Sequence, residues 1–206
     1  MVSEKDVVFE KSDDLTSEEK KLFKYFGVNA KIRPPFRILN PSRISIGDNV
    51  SIREFAYIHC YQDLTGNYKF VDEQFKSDFN IEEYLYNSEL IIESEVQIGR
   101  NIFISCTNKI VLQRNITISE RVFIGDNNHN FNHKFVPIMQ QPNKSGSPIE
   151  IGQGSWIGAG STILHGTITG RNSVISANSL VQGNFPDYSV IGPEKAKLLF
   201  IKQNFR

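Results

Sequence analysis

The chain has 206 residues, long for one average domain and short for two, with 23 basic and 23 acidic side chains and a formal net charge of zero. The basic residues are scattered, which excludes a nucleic-acid footprint and a polybasic membrane anchor and leaves small molecules or other protein chains as partners. No apolar run approaches the roughly 18 residues of a membrane span, and "MVSEKDVVFEKSDD" lacks the basic start and apolar middle of a signal peptide, so the expectation is a soluble, cytoplasmic protein.

Near the start, "LTSEEKKLFKYFG" reads as a helix docked on one end of the domain that begins near residue 36. Thr16 and Glu19 have capping-box spacing, Leu22, Phe23 and Phe26 share a face, and Gly27 can terminate the element. The segment 1–35 is therefore expected to be helical.

From residue 36 a period of six takes over. Ile46, Ile52 and Ile58 open it; Ile92, Ile98 and Ile104 come next, then Leu112, Ile118 and Ile124, and finally Ile151, Ile157, Ile163, Thr169, Ile175 and Val181. Six is neither the helical period nor the simple alternation of an isolated strand. A short strand and a tight turn, stacked coil on coil, do satisfy it, with the aliphatic residue pointing inward and Gly or Asn at corners that need positive φ. Three hexads make one triangular coil of about 18 residues in a parallel β-solenoid, the expected architecture of 36–191.

Two interruptions break the rhythm. The first, 61–89, is acidic and rich in aromatics, with "FNIEEYLYN" helix-compatible, and reads as a folded flap or a contact between chains. The second is a loop over 129–148. Around "SCTN" the register also slips by two residues before Leu112, which implies a shortened corner. After the last coil, "PEKAKLLFIKQNF" predicts a C-terminal helix within 192–206. Cys60 and Cys106 are too few and too far apart for a disulfide framework or a zinc motif, and read as buried thiols.

"IGDNVS", "IGRNIF", "IGQGSW", "IGAGST" and the run "SPIEIGQGSWIGAGSTILHGTITGRNSVISANSLVQGNFPDYSV" resemble the hexapeptide-repeat acyltransferases, over about residues 36 to 197. The resemblance implies a left-handed parallel β-helix, an exception to the right-handed crossover rule. It further implies acetyl-CoA as co-substrate, a homotrimer, and transfer to a hydroxyl of a sugar or glycan, the long-loop "NNHNF" form being most similar to sugar O-acetyltransferases. N-acetylation of an amino sugar or nucleotide sugar is the alternative. A metalloenzyme similar to the γ-carbonic anhydrases, suggested by "ILHGTI", would need a ligand histidine where Gly160 stands, and no metal is expected.

The same resemblance places the catalytic histidine at His129, where the hexad "IGDNNH" ends and the chain leaves the coil. A neutral imidazole there can take the proton of an attacking hydroxyl. His133 competes for that role from deeper in the loop and, with Asn108 and Asn128, is a candidate for holding the acceptor. Asp126 is a candidate for orienting the imidazole, although an acidic residue after "IG" is also ordinary turn chemistry. His59 and His165 read as solvent-facing or corner residues. For acetyl-CoA the resemblance points to Trp156, Ala159, Gly160 and Ala177, small residues letting a thin arm lie against backbone N–H groups. Lys195 and Lys197 are the expected phosphate contacts, weakened by "IGPEKAK" standing where the family has Ala-Gly-Asn-Pro-Ala-Lys.

Overall fold

The structure, a computed structural model, describes residues 8–62 and 71–193. The expected C-terminal helix, with Lys195 and Lys197, lies outside the described residues. Among those described, three seven-stranded sheets are built as the chain visits each in turn. All neighbouring strands within them run parallel except Val8–Lys11, which pairs antiparallel with Phe36–Leu39 at the edge of the first sheet. The architecture is consistent with a β-helix of hexapeptide repeats.

The register explains the period. Ile38, Ile58, Ile104, Ile124, Ile163 and Val181 stack in the first sheet. Phe26, Ile46, Ile92, Leu112, Ile151, Thr169 and Phe185 stack in the second. Ile32, Ile52, Ile98, Ile118, Ile157, Ile175 and Ile191 stack in the third. Nearly all are buried in one continuous core, each full burial stabilising by about 1.5–3 kcal/mol. Thr169 is tolerated in an aliphatic column because its hydroxyl accepts the Gly152 N–H at 3.1 Å. Corners are turned by Asn29, Asn49, Asn101, Asn115, Asn172 and Asn178 with positive φ, a conformation asparagine adopts at low cost.

Three expectations need correction. The N-terminal helix has its capping box, but it spans only Ser17–Lys20. Tyr25–Phe26 and Lys31–Ile32 are already strands, so the coil begins inside the segment expected to be helical. Phe26, Ile32 and Ile38 share the six-residue spacing, and burial of Phe26 against the first coil outweighs the helical pattern. The docking role survives in part, since Leu15 and Phe23 are buried against the core.

The corner at "SCTN" is lengthened: eight residues separate Ile104 from Leu112, as they do Ile38 from Ile46. The shortened corner comes later, with four residues between Val181 and Phe185. Between the second and third sheets, and between the third and first, the step is six in every coil. Every irregularity therefore falls at one edge, from the first sheet to the second, which we call corner I. Corner II joins the second sheet to the third, and corner III the third to the first. His59 also differs from expectation, being buried with 7% exposure.

Both interruptions leave from corner I and pack on each other. The flap holds 3-10 turns at Glu73–Asp78 and Ile81–Tyr84. Val71 and Phe79 of the flap share a small core with Val136 of the loop, and Phe75 and Tyr84 pack against it. The Tyr86 hydroxyl donates to the Asn143 carbonyl at 3.0 Å.

Candidate active site

The corner I residues Asn40, Cys60, Cys106 and Asp126 each stand two after the inward aliphatic residue of the first sheet in successive coils, and His165 continues the series one coil beyond Asp126. Asp126 is fully buried. Its Oδ1 accepts from Thr107 N at 2.6 Å and Thr107 Oγ1 at 2.8 Å, and its Oδ2 from Asn108 N at 2.9 Å and Cys106 Sγ at 3.7 Å. Burial pushes its pKa up, opposed by these donors. The carboxylate thus ties down the lengthened corner that carries Asn108. Among the described residues no hydrogen bond joins it to His129.

Asn127–Asn128 and Lys144–Ser145 then close the loop's base as a two-stranded antiparallel ribbon. Thr107 Oγ1 meets Ser145 Oγ at 3.0 Å, Asn108 Nδ2 donates to the Gly146 carbonyl at 3.0 Å, and Gly146 N donates to the Asp126 carbonyl at 2.6 Å. A side chain at 146 has no room, because its Cβ would lie 2.5 Å from His165 Cβ and 2.6 Å from the Asp126 carbonyl oxygen. Glycine lets the returning loop wedge against His165.

Between ribbon, corner and loop lies an open cavity of about 560 Å³. Asn108, Asn128, His129, Lys144, Ser147 and His165 line it, so three expected site residues are brought together and three others join them. His129 is exposed and makes no hydrogen bond to the described residues, leaving both ring nitrogens to a ligand. His165 is half-buried, with Nε2 at 3.3 Å from Gln182 Nε2. Its place was readable in the repeat: it stands two after Ile163, as Asp126 stands two after Ile124.

His133 does not line this cavity. Its Nδ1 accepts from Phe135 N and Val136 N at 3.3 and 3.1 Å, and its Nε2 donates to Asp78 Oδ2 at 2.9 Å. Phe75 and Phe79 flank the ring. It fastens loop to flap. The residues expected to hold acetyl-CoA stand on another edge. Ala159, Gly160 and Ala177 turn corner III, Gly160 with φ of 71°, and Trp156 precedes them on the third sheet with its indole N–H donating to Ser119 Oγ at 3.0 Å. None of the four lines the His129 cavity.

Cys60 and Cys106 are buried free thiols, and their mutual contact, burial and Asp126 together push the Cys106 pKa up. A thiol so held is a poor nucleophile. Among the described residues no three His, Cys, Asp or Glu side chains group as metal ligands, and no helix is long and apolar enough to cross a membrane.

Residues 148–183 match the family model described as bacterial transferase hexapeptide (six repeats). No curated protein matches the chain. The fold is shared with AntD, an N-acyltransferase from Bacillus cereus solved with dTDP and 3-hydroxybutyryl-CoA, at 20% identity and a TM-score of 0.63 over 86% of this chain and 83% of that one. A variant of AntD solved with dTDP-4-amino-4,6-dideoxyglucose and Coenzyme A gives 20% identity and a TM-score of 0.63 over 84% and 82%. A maltose O-acetyltransferase from Clostridium difficile 630 is also similar, at 20% identity and a TM-score of 0.48 over 82% and 64%. The chain thus carries the hexapeptide repeats of the bacterial transferases, on the fold of an acyltransferase of known structure.

Proposed function

We propose that this chain is a left-handed β-helix acyltransferase that moves an acetyl group from acetyl-CoA to a hydroxyl of a sugar or polysaccharide, with His129 as general base. The observation that carries this reading is the cavity in which an exposed imidazole, with no hydrogen-bond partner among the described residues, shares the lining with Asn108, Asn128, Lys144 and His165 on a hexapeptide-repeat scaffold. The acceptor O–H gives its proton to the imidazole as its oxygen attacks the thioester carbonyl carbon. The C–S bond then breaks, and the thiolate takes the proton back from the imidazolium. No enzyme-bound acyl intermediate is needed. Asn108 and Asn128 offer amide groups to the acceptor.

Trp156, Ala159, Gly160 and Ala177 are the proposed contacts of the donor. The small side chains at corner III suit a thin pantetheine arm, and backbone N–H groups along it can stabilise charge on the carbonyl oxygen. Because that edge does not line the His129 cavity of its own chain, the proposed assembly is a homotrimer in which corner III of one chain faces corner I of the next. A groove between two prisms encloses a long donor better than one convex prism does.

Transfer to the amine of a nucleotide-linked amino sugar is the second reading. AntD is solved with such a ligand, and the arginines that gather on corner III of the N-terminal coils favour a phosphorylated acceptor.

The test is release of free CoA from acetyl-CoA against a panel of sugars, polysaccharides and nucleotide sugars, with products read by mass spectrometry. His129→Ala should lower turnover by at least about 100-fold with an unchanged melting temperature. An active His129→Ala together with an inactive His165→Ala would overturn the assignment.

A further inference from the structure

Corner III of the N-terminal coils carries charges for which the proposed proton transfer has no use. Arg33, Arg53 and Arg100 lie on three successive coils and converge on one carboxylate, Glu54. Arg100 Nε donates to Glu54 Oε2 at 2.8 Å, Arg53 Nε to the same oxygen at 3.1 Å, and an Arg33 terminal nitrogen lies 3.9 Å from Oε1. Three guanidinium groups against one carboxylate leave positive charge over. Glu120 on the next coil also acts on Arg100, and Arg121 beside it adds a fourth guanidinium, so four positive charges on this edge meet two negative ones. All three arginine side chains keep between 38% and 52% of their surface in water. Ion pairs this exposed add little to stability, so holding the fold does not call for three of them.

Phe55 is the second, independent feature. It turns the corner with φ of 64° and is 57% exposed. The same corner position in later coils is filled by Asn101, Arg121, Gly160 and Asn178. A bulky aromatic in the left-handed region is unfavourable, and here burial in the core does not compensate it. Strain of this kind persists chiefly where a surface has work to do.

We infer that this edge binds the nucleoside diphosphate part of a nucleotide-linked acceptor, with the phosphates on Arg33, Arg53 and Arg100 and the base stacked on Phe55. Guanidinium forks match phosphate oxygens, and an exposed ring accepts any base on its face. Coils in a parallel sheet lie about 4.8 Å apart, so the three arginines span roughly 10 Å, the scale of a diphosphate with its sugar. Along the same edge the next coils bring Arg121, at the level of the His129 coil, then Ala159 and Ala177. Acceptor and donor would therefore approach one another along a single edge, meeting where a neighbouring chain presents His129. The link to an acceptor rests on the acyltransferase reading; the binding site itself does not.

Calorimetric titration of the intact protein with ADP, GDP, UDP, dTDP and inorganic pyrophosphate tests it. At least one nucleoside diphosphate should bind with Kd below about 1 mM, more weakly as salt rises. Arg53→Gln with Arg100→Gln should weaken it by at least about tenfold. Phe55→Asn relieves the backbone, so its melting temperature should hold or rise, yet it should weaken the nucleoside diphosphate and leave pyrophosphate unaffected. The inference is overturned if no nucleoside diphosphate binds at millimolar concentration, if pyrophosphate binds as tightly as the best of them, or if these folded variants bind like the parent. Binding that responds as expected in a protein that transfers no acetyl group would sink the acyltransferase reading and leave the site standing.

Discussion

His59 shows what a polar ring costs on a crowded sheet face. It lies among Tyr57, Tyr61 and Phe103, its Nδ1 meets the Tyr61 hydroxyl at 2.9 Å, and its Nε2 is buried without a partner among the described residues. Burial, helped by the Arg37 charge, lowers its pKa from 6.5 to about 4. Between those values the unfolded chain binds the proton and the folded one does not, so stability falls as pH falls from 6.5 towards 4, by at most about 1.4 kcal/mol per pH unit. Asp126, with its raised pKa, acts in the opposite sense above 3.8. Glu19 and Glu54, held at about 2 chiefly by Lys11 and Arg100, matter only below their ordinary 4.5. Denaturation midpoints at pH 7, 6 and 5 should decline in the parent, and His59→Gln should flatten the decline; a parent equally stable at all three would contradict the assignment. Gly146→Ala must displace either His165 or the ribbon, so turnover should drop about tenfold or more, the scale on which small misplacements act. Parent-like turnover would remove His165 from the working site. His129 was legible because it interrupts a repeat. The part played by Asp126 was not, because an acidic residue after "IG" has the same local pattern whether it faces solvent or, as here, is enclosed by a lengthened corner.

At the scale of elements, the described part of the flap and the loop pack together as one unit. Gln141 is fully buried and donates to the Val136 and His133 carbonyls at 2.7 and 3.2 Å, while His133 reaches across to Asp78. Replacing His133 by Ala strands the Phe135 and Val136 N–H groups and breaks the tie to the flap. Proteolysis within 129–148 should then quicken, and KM for the acceptor should rise several-fold with a smaller change in kcat, since the base itself is untouched. A cleavage rate equal to the parent's would show that the flap holds the loop by other contacts. Both interruptions could be read as departures from a period, and their aromatics as signs of folding. That they meet could not, because Val71 and Val136 are neighbours only after two excursions leave the same edge of the coil. The helical pattern outruns the N-terminal helix for a related reason: "LFKYF" fits a helical face, and only the first coil offers Phe26 a column to join.

For the whole molecule, one edge collects the irregular corners and another the regular turns, and the proposed trimer sets one against the other. Mixing His129→Ala chains with chains carrying Ala159→Trp should restore some turnover, because a mixed trimer can pair an intact histidine with an intact corner III. Light scattering on the same samples reports the assembly, and a monomer with full activity would refute the shared site. The sequence by itself determined the coil: a hexad places every sixth side chain inward whatever its neighbours are, so local periodicity and burial agree. Only the tertiary structure decided which edge carries the insertions, that His165 joins His129 while His133 is drawn away to the flap, and that Arg33, Arg53 and Arg100 converge. Those outcomes depend on which corners stack on which, and stacking counts residues across the insertions, where the period is silent.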